Sequence, residues 1–78
     1  MNDYIEQHDH ISGQLAVLTE RYSKLRCPLI VFIGAACELV GERHLYRVTD
    51  TDLLRGLILL RRMERVAALN ILDKHAVL

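Results

Sequence analysis

Apolar residues occupy almost every helical direction between Pro28 and Val40, whereas the segments on either side alternate apolar with polar positions. That stretch reads Pro-Leu-Ile-Val-Phe-Ile-Gly-Ala-Ala-Cys-Glu-Leu-Val and has no charge before Glu38. A helix that is apolar all round has to be enclosed by other protein. The flanking segments are therefore expected to cover it.

Upstream, Tyr4, His8, Ile11, Leu15, Leu18, Tyr22 and Leu25 recur at alternating spacings of four and three. This is the seam of a helix lying lengthwise on another, and it predicts a first helix over about 3–26. Asp3 and Glu6 suit its start, and Lys24 and Arg26 its end. Ser12-Gly13 is its weak point, since an interior glycine costs roughly 1 kcal/mol relative to alanine. Pro28 disfavours helical geometry at Cys27 and fits the first position of a new helix. A second helix follows over about 28–42, with Leu29, Phe32, Ile33, Ala36, Leu39 and Val40 on one face and Glu38 and Glu42 opposite. A single kinked helix running through Pro28 is the alternative. The small residues Gly34-Ala35-Ala36 invite close approach by another helix, and Gly41 marks the unwinding.

Residues 43–48 predict a connecting loop, because a lone strand there has nothing to pair with. Thr49-Asp50-Thr51-Asp52 offers several helix caps, and a third helix is expected over about 50–74. Its main face is Leu53, Leu57, Leu60, Met63, Ala67 and Ile71, with further apolar residues spread round the remainder. That is too apolar for a helix with one wet side.

Composition sharpens this picture. The chain is 78 residues long and 51% apolar, more than a domain this small can hide by itself. The expectation is all-α: one domain over 1–78, a three-helix hairpin-like unit assembled as a helical homodimer. Phe32, Leu57, Leu60 and Met63 are the positions expected to carry self-association. The formal net charge is zero, which argues against a general polyanion binder, but the charges are segregated. Residues 1–20 carry Asp3, Glu6, Asp9 and Glu20 with no Lys or Arg, whereas Arg43, Arg47, Arg55, Arg61, Arg62 and Arg65 cluster later. Those six are the candidate partner-binding residues. Their alternative role is a polar rim paired with Glu20, Glu38, Glu64 or a partner's acids.

Candidate chemistry is thin. His8-Asp9-His10 points its two imidazoles in different directions on a helix. Cys27, Cys37 and His44 match no zinc-ligand spacing. Cys27 or Cys37 with His44 and Glu38 or Glu42 is a set of residue types without a catalytic pattern, and no glycine-rich phosphate loop exists. No enzyme activity, metal or cofactor is expected. Two cysteines are too few for a disulfide scaffold, the start carries no secretory signal, and no apolar run reaches the ~20 residues of a membrane span. A cytoplasmic location is expected.

The leading reading is a non-catalytic interaction module: a small regulator, adaptor or inhibitor, of phage or plasmid type in its size, that sequesters another protein. One alternative is a small nucleic-acid-binding regulator using the arginines of the third helix. A helix-turn-helix fails there on an eight-residue turn and an overly apolar recognition helix. A second alternative is a membrane-peripheral protein using the apolar second helix and the nearby arginines.

Overall fold

A computed structural model describes residues 3–25 and 28–76, with the side chains of residues 3–7 and of Leu45 left undescribed. Among the described residues the protein is entirely helical: α1 (Asp3–Arg21), α2 (Pro28–Leu39), α3 (Asp50–Arg62) and α4 (Arg65–Ala76), with a 3₁₀ turn at Leu45–Arg47. Helix α3 packs against both α1 and α2, and α4 lies along α2. The fully buried large side chains are Leu18, Phe32, Leu57, Leu60 and Leu72, one or more from every helix. Each core leucine is worth about 2–5 kcal/mol against truncation to alanine.

Four helices replace the expected three, because the segment 50–74 breaks at Met63. Its backbone turns extended (φ −65°, ψ 152°) while its N–H still bonds the Leu59 and Leu60 carbonyls. The Glu64 carbonyl then accepts from the Ala68 N–H and opens α4. No glycine or proline marks this point. The physical reason is Glu64 itself: at 100° per residue a straight helix places its carboxylate in the middle of the face shared by Leu57, Leu60 and Ala68. The break moves Glu64 into an exposed elbow and shifts the buried face by one residue, from the expected Ala67 and Ile71 to Ala68 and Leu72. Length favours the same outcome. An unbroken helix of that span is about 37 Å long, as long as the whole molecule at 38 Å, and would overhang a 12-residue α2.

Helix ends follow local chemistry. Helix α1 stops at Arg21 rather than residue 26, and the chain turns through Tyr22–Lys24 so that the Tyr22 ring is buried 6.5 Å from Phe32. It stays helical through Ser12-Gly13, both exposed. The expected capping pair Asp3 and Glu6 and the tail beyond Ala76 fall outside what is described, as do Cys27 and the continuity of the chain before Pro28. Helix α2 ends at Leu39 rather than residue 42. The Gly41 N–H bonds the Glu38 carbonyl and the Glu42 N–H bonds the Cys37 carbonyl, with Gly41 at φ +79°, a glycine stop of the Schellman type. Helix α3 starts on Thr49, whose hydroxyl accepts from the Asp52 N–H at 3.1 Å, with Asp50 and Asp52 in its first turn.

The apolar α2 keeps Phe32 and Ala36 of the expected face inward but is rotated so that Leu29 turns outward. Val31, Phe32, Ala35, Ala36 and Cys37 are buried, whereas Leu29 and Ile30 are exposed. A helix apolar on all sides does not specify its own orientation; its neighbours do. The small residues decide it here. A Cβ on Gly56 of α3 would lie 2.4 Å from the Ala36 carbonyl oxygen, so α2 and α3 meet nearly backbone to backbone.

Candidate binding surface

Two concave regions lie at opposite ends of the α2–α4 pair. The larger, about 500 Å³, is lined by Cys37, Glu38, Glu42, Arg43 and His75 among others. It sits where α2 ends, and glycine at position 34 admits the His75 ring, whose Nδ1 is 2.8 Å from where a Cβ would stand. His75 Nε2 is 3.2 Å from Glu38 Oε1, and Lys74 Nζ is 3.6 Å from Glu38 Oε2. Glu42 Oε1 accepts from the His44 N–H at 3.0 Å.

A cysteine, a histidine and two carboxylates in one groove invite a catalytic reading, and the electrostatics oppose it. Burial first, and the Glu42 carboxylate second, push the Cys37 thiol above its ordinary value. An activated cysteine needs the opposite, a stabilised thiolate. His44, the sequence's candidate base, lies against Tyr46 at 5.2 Å between ring centres. Among the described residues no three His, Cys, Asp or Glu side chains are grouped to hold a metal ion.

The smaller pocket, about 290 Å³, lies at the elbow end, where α1 stops, α2 starts and α3 turns into α4. Arg21, Lys24 and Arg65 supply its charge and Tyr22, Leu25 and Leu69 its apolar lining. Arg61 and Arg62 flank a neighbouring depression with Gln14 and Ile58. Arg21 donates to the Arg61 carbonyl at 2.8 Å, satisfying one of the last carbonyls of α3. Arg61 donates to Gln14 Oε1 at 3.1 Å, and the Arg65 guanidinium stands 5.9 Å from the centre of the Tyr22 ring.

The six arginines singled out from the sequence therefore separate. Arg65 shares the elbow pocket with Arg21 and Lys24, some 40 positions away along the chain, and Arg61 and Arg62 line the depression next to it. Arg55 pairs with Asp52 at 3.3 Å. Arg43 lines the groove at the other end, and Arg47 stands over Tyr46. The expected pairing with Glu20, Glu38 or Glu64 is not seen. Among the described residues Arg55 is the one arginine with a carboxylate within salt-bridge distance.

Of the four positions assigned to self-association, Phe32, Leu57 and Leu60 are wholly buried in the chain's own core, and Met63 is half-buried at the elbow. The large apolar side chains left exposed among the described residues are Leu29, Ile30, Tyr46, Leu59 and Val66. Among the described residues no helix is long and apolar enough to cross a membrane. No family model, no curated protein and no solved structure matches the chain.

Proposed function

We propose that this protein is a small non-catalytic binding module, a regulator, adaptor or inhibitor that engages an acidic surface of another protein through the elbow. One observation carries the reading: Arg21, Lys24 and Arg65 line one pocket, and Arg61 and Arg62 a depression joined to it by the Arg21–Arg61 hydrogen bond, all five exposed and without a carboxylate in salt-bridge range among the described residues. Arginine at the rim of an apolar patch is a common anchor in protein interfaces. Exposed Leu29, Ile30, Leu59 and Val66 supply apolar area for such a partner or for a second copy of the chain.

Nucleic acid fits the cations less well. Single strands are gripped by stacking bases on open aromatic faces, and the Tyr22 ring at the elbow is buried between Phe32 and Arg65. Helix α3, the candidate recognition helix, packs against both α1 and α2.

The test uses the immobilised chain and a triple variant, Arg61→Gln, Arg62→Gln and Arg65→Gln, in nuclease-treated extract of the host. The expected result is a protein retained by the first, released by salt and lost on the second. That protein, once purified, should bind the variant at least roughly tenfold more weakly, a difference of about 1.4 kcal/mol. Equal retention by both chains sinks the reading. A protein retained from untreated extract but not from nuclease-treated extract transfers the reading to nucleic acid.

A further inference from the structure

The elbow pocket has a composition narrower than its surroundings. Three cations from separate places line it: Arg21 at the end of α1, Lys24 in the following turn and Arg65 in the first turn of α4. No Asp or Glu lines it, and its remaining wall is Tyr22, Leu25 and Leu69 with the Ser23 hydroxyl. Arg21 caps an α3 carbonyl and Arg65 lies over the Tyr22 ring, but neither contact supplies a counter-charge. Arg65 stands in the first turn of a helix that has no acidic residue there, the less favourable sign at that end. Helix α3 shows the ordinary arrangement, a threonine cap and two aspartates.

We propose that this pocket receives a carboxylate carried beside an aliphatic side chain, as on an acidic, leucine-containing segment of a partner protein. The proposal rests on the binding-module reading above and names the chemistry its partner presents. Arginine grips a carboxylate through two parallel N–H donors, and Arg21 and Arg65 approach from different helices with Lys24 as a third point charge. Leu25 and Leu69, both half-buried, offer an aliphatic surface next to those donors. A volume of about 290 Å³ suits one such side-chain pair and lies just below the range of pockets that hold drug-sized ligands. A nucleotide base would find no free ring, because Tyr22 is already covered.

The experiment is a titration of the isotopically labelled full chain, followed by amide shifts. The probes are a blocked synthetic peptide, Gly-Glu-Leu-Leu-Glu-Gly, its counterpart with glutamine for glutamate, its counterpart with alanine for leucine, and inorganic phosphate. The glutamate–leucine peptide should move the amides of Ser23, Lys24, Arg65 and Leu69. Either substituted peptide should bind on the order of tenfold more weakly, the loss expected for one charge-assisted hydrogen bond or one buried aliphatic side chain. Lys24→Gln and Arg65→Gln, both at exposed positions, should each weaken the parent peptide while leaving the melting temperature near that of the unaltered chain. The proposal is overturned by an absence of shifts at millimolar peptide, by shifts located elsewhere, or by equal binding of the glutamine peptide. Equal binding of phosphate or of the alanine peptide overturns it too, since the pocket would then be a bare anion site. A pocket that fails here, while the host extract still yields a partner dependent on Arg61, Arg62 and Arg65, removes this proposal and leaves the binding module standing.

Discussion

The two ends of the α2–α4 pair differ less in shape than in how far their charges are already answered. In the larger groove Glu38 holds both Lys74 and His75 and Glu42 holds a backbone N–H, which leaves Arg43 as the lining cation without a carboxylate in salt-bridge range among the described residues. At the elbow, five cations have backbone, amide or ring neighbours at best. Matched charges are what a fold leaves behind when it closes on itself. Unmatched charges of one sign raise the potential over a surface and favour a partner of the other sign. Volume alone points to the groove, and the unanswered cations point to the elbow.

The largest expected effect tests the frame that both ends share. Gly56→Ala places a methyl group 2.4 Å from the Ala36 carbonyl oxygen, where backbone has to move, and overpacking of that kind costs about 1–3 kcal/mol. Gly34→Ala is the informative control. The atoms nearest its methyl belong to the His75 ring, which can swing outward, and alanine recovers up to about 1 kcal/mol of helix propensity. Thermal melts should therefore show Gly56→Ala well below the unaltered chain and Gly34→Ala close to it. Equal losses would mean that α4 is held at its C-terminal end as firmly as α3 is held on α2.

Why one end was legible beforehand and the other was not follows from the range of the interactions involved. The stop at Gly41 and the cap at Thr49 are local, and the run Gly34-Ala35-Ala36 signals a close approach by its small size without naming Gly56 as the partner. The elbow depends on Glu64 interrupting a face whose other members are leucine and alanine, a conflict that appears only once that face is known to be buried. The inward face of α2 was open for the opposite reason, since Leu29 and Phe32 are equally apolar and neighbours alone decide between them. Three of the five basic residues were readable as Arg61, Arg62 and Arg65. The rest, Arg21 and Lys24, join them through the fold.

A smaller effect sharpens the contrast between the ends. Glu38→Gln removes the acceptor charge that faces both Lys74 and His75. These side chains are partly exposed, and surface pairs contribute about 0–1 kcal/mol. Chemical denaturation at neutral pH should find a loss inside that range, with binding at the elbow unchanged. A loss of several kcal/mol would show that the groove, and not the buried Ala68 and Leu72, anchors α4.

The smallest effect at neutral pH is also the most selective for the groove. Burial and Glu42 raise the Cys37 thiol above its ordinary value of 9.0 in the folded chain, while an unfolded thiol titrates near 8.5. Below the unfolded value both states keep the proton and the contribution to stability is fully present. As pH rises past it the unfolded chain releases its proton first, so stability falls with pH until the folded thiol titrates as well. The unaltered chain should lose melting temperature more steeply above about pH 9 than Cys37→Ala does, although the two are compared at different absolute stabilities. Parallel slopes would mean that water reaches the thiol and that the groove opens readily. A steeper slope in the unaltered chain would mark this end as closed packing, leaving the elbow as the end of the molecule that is open to a partner.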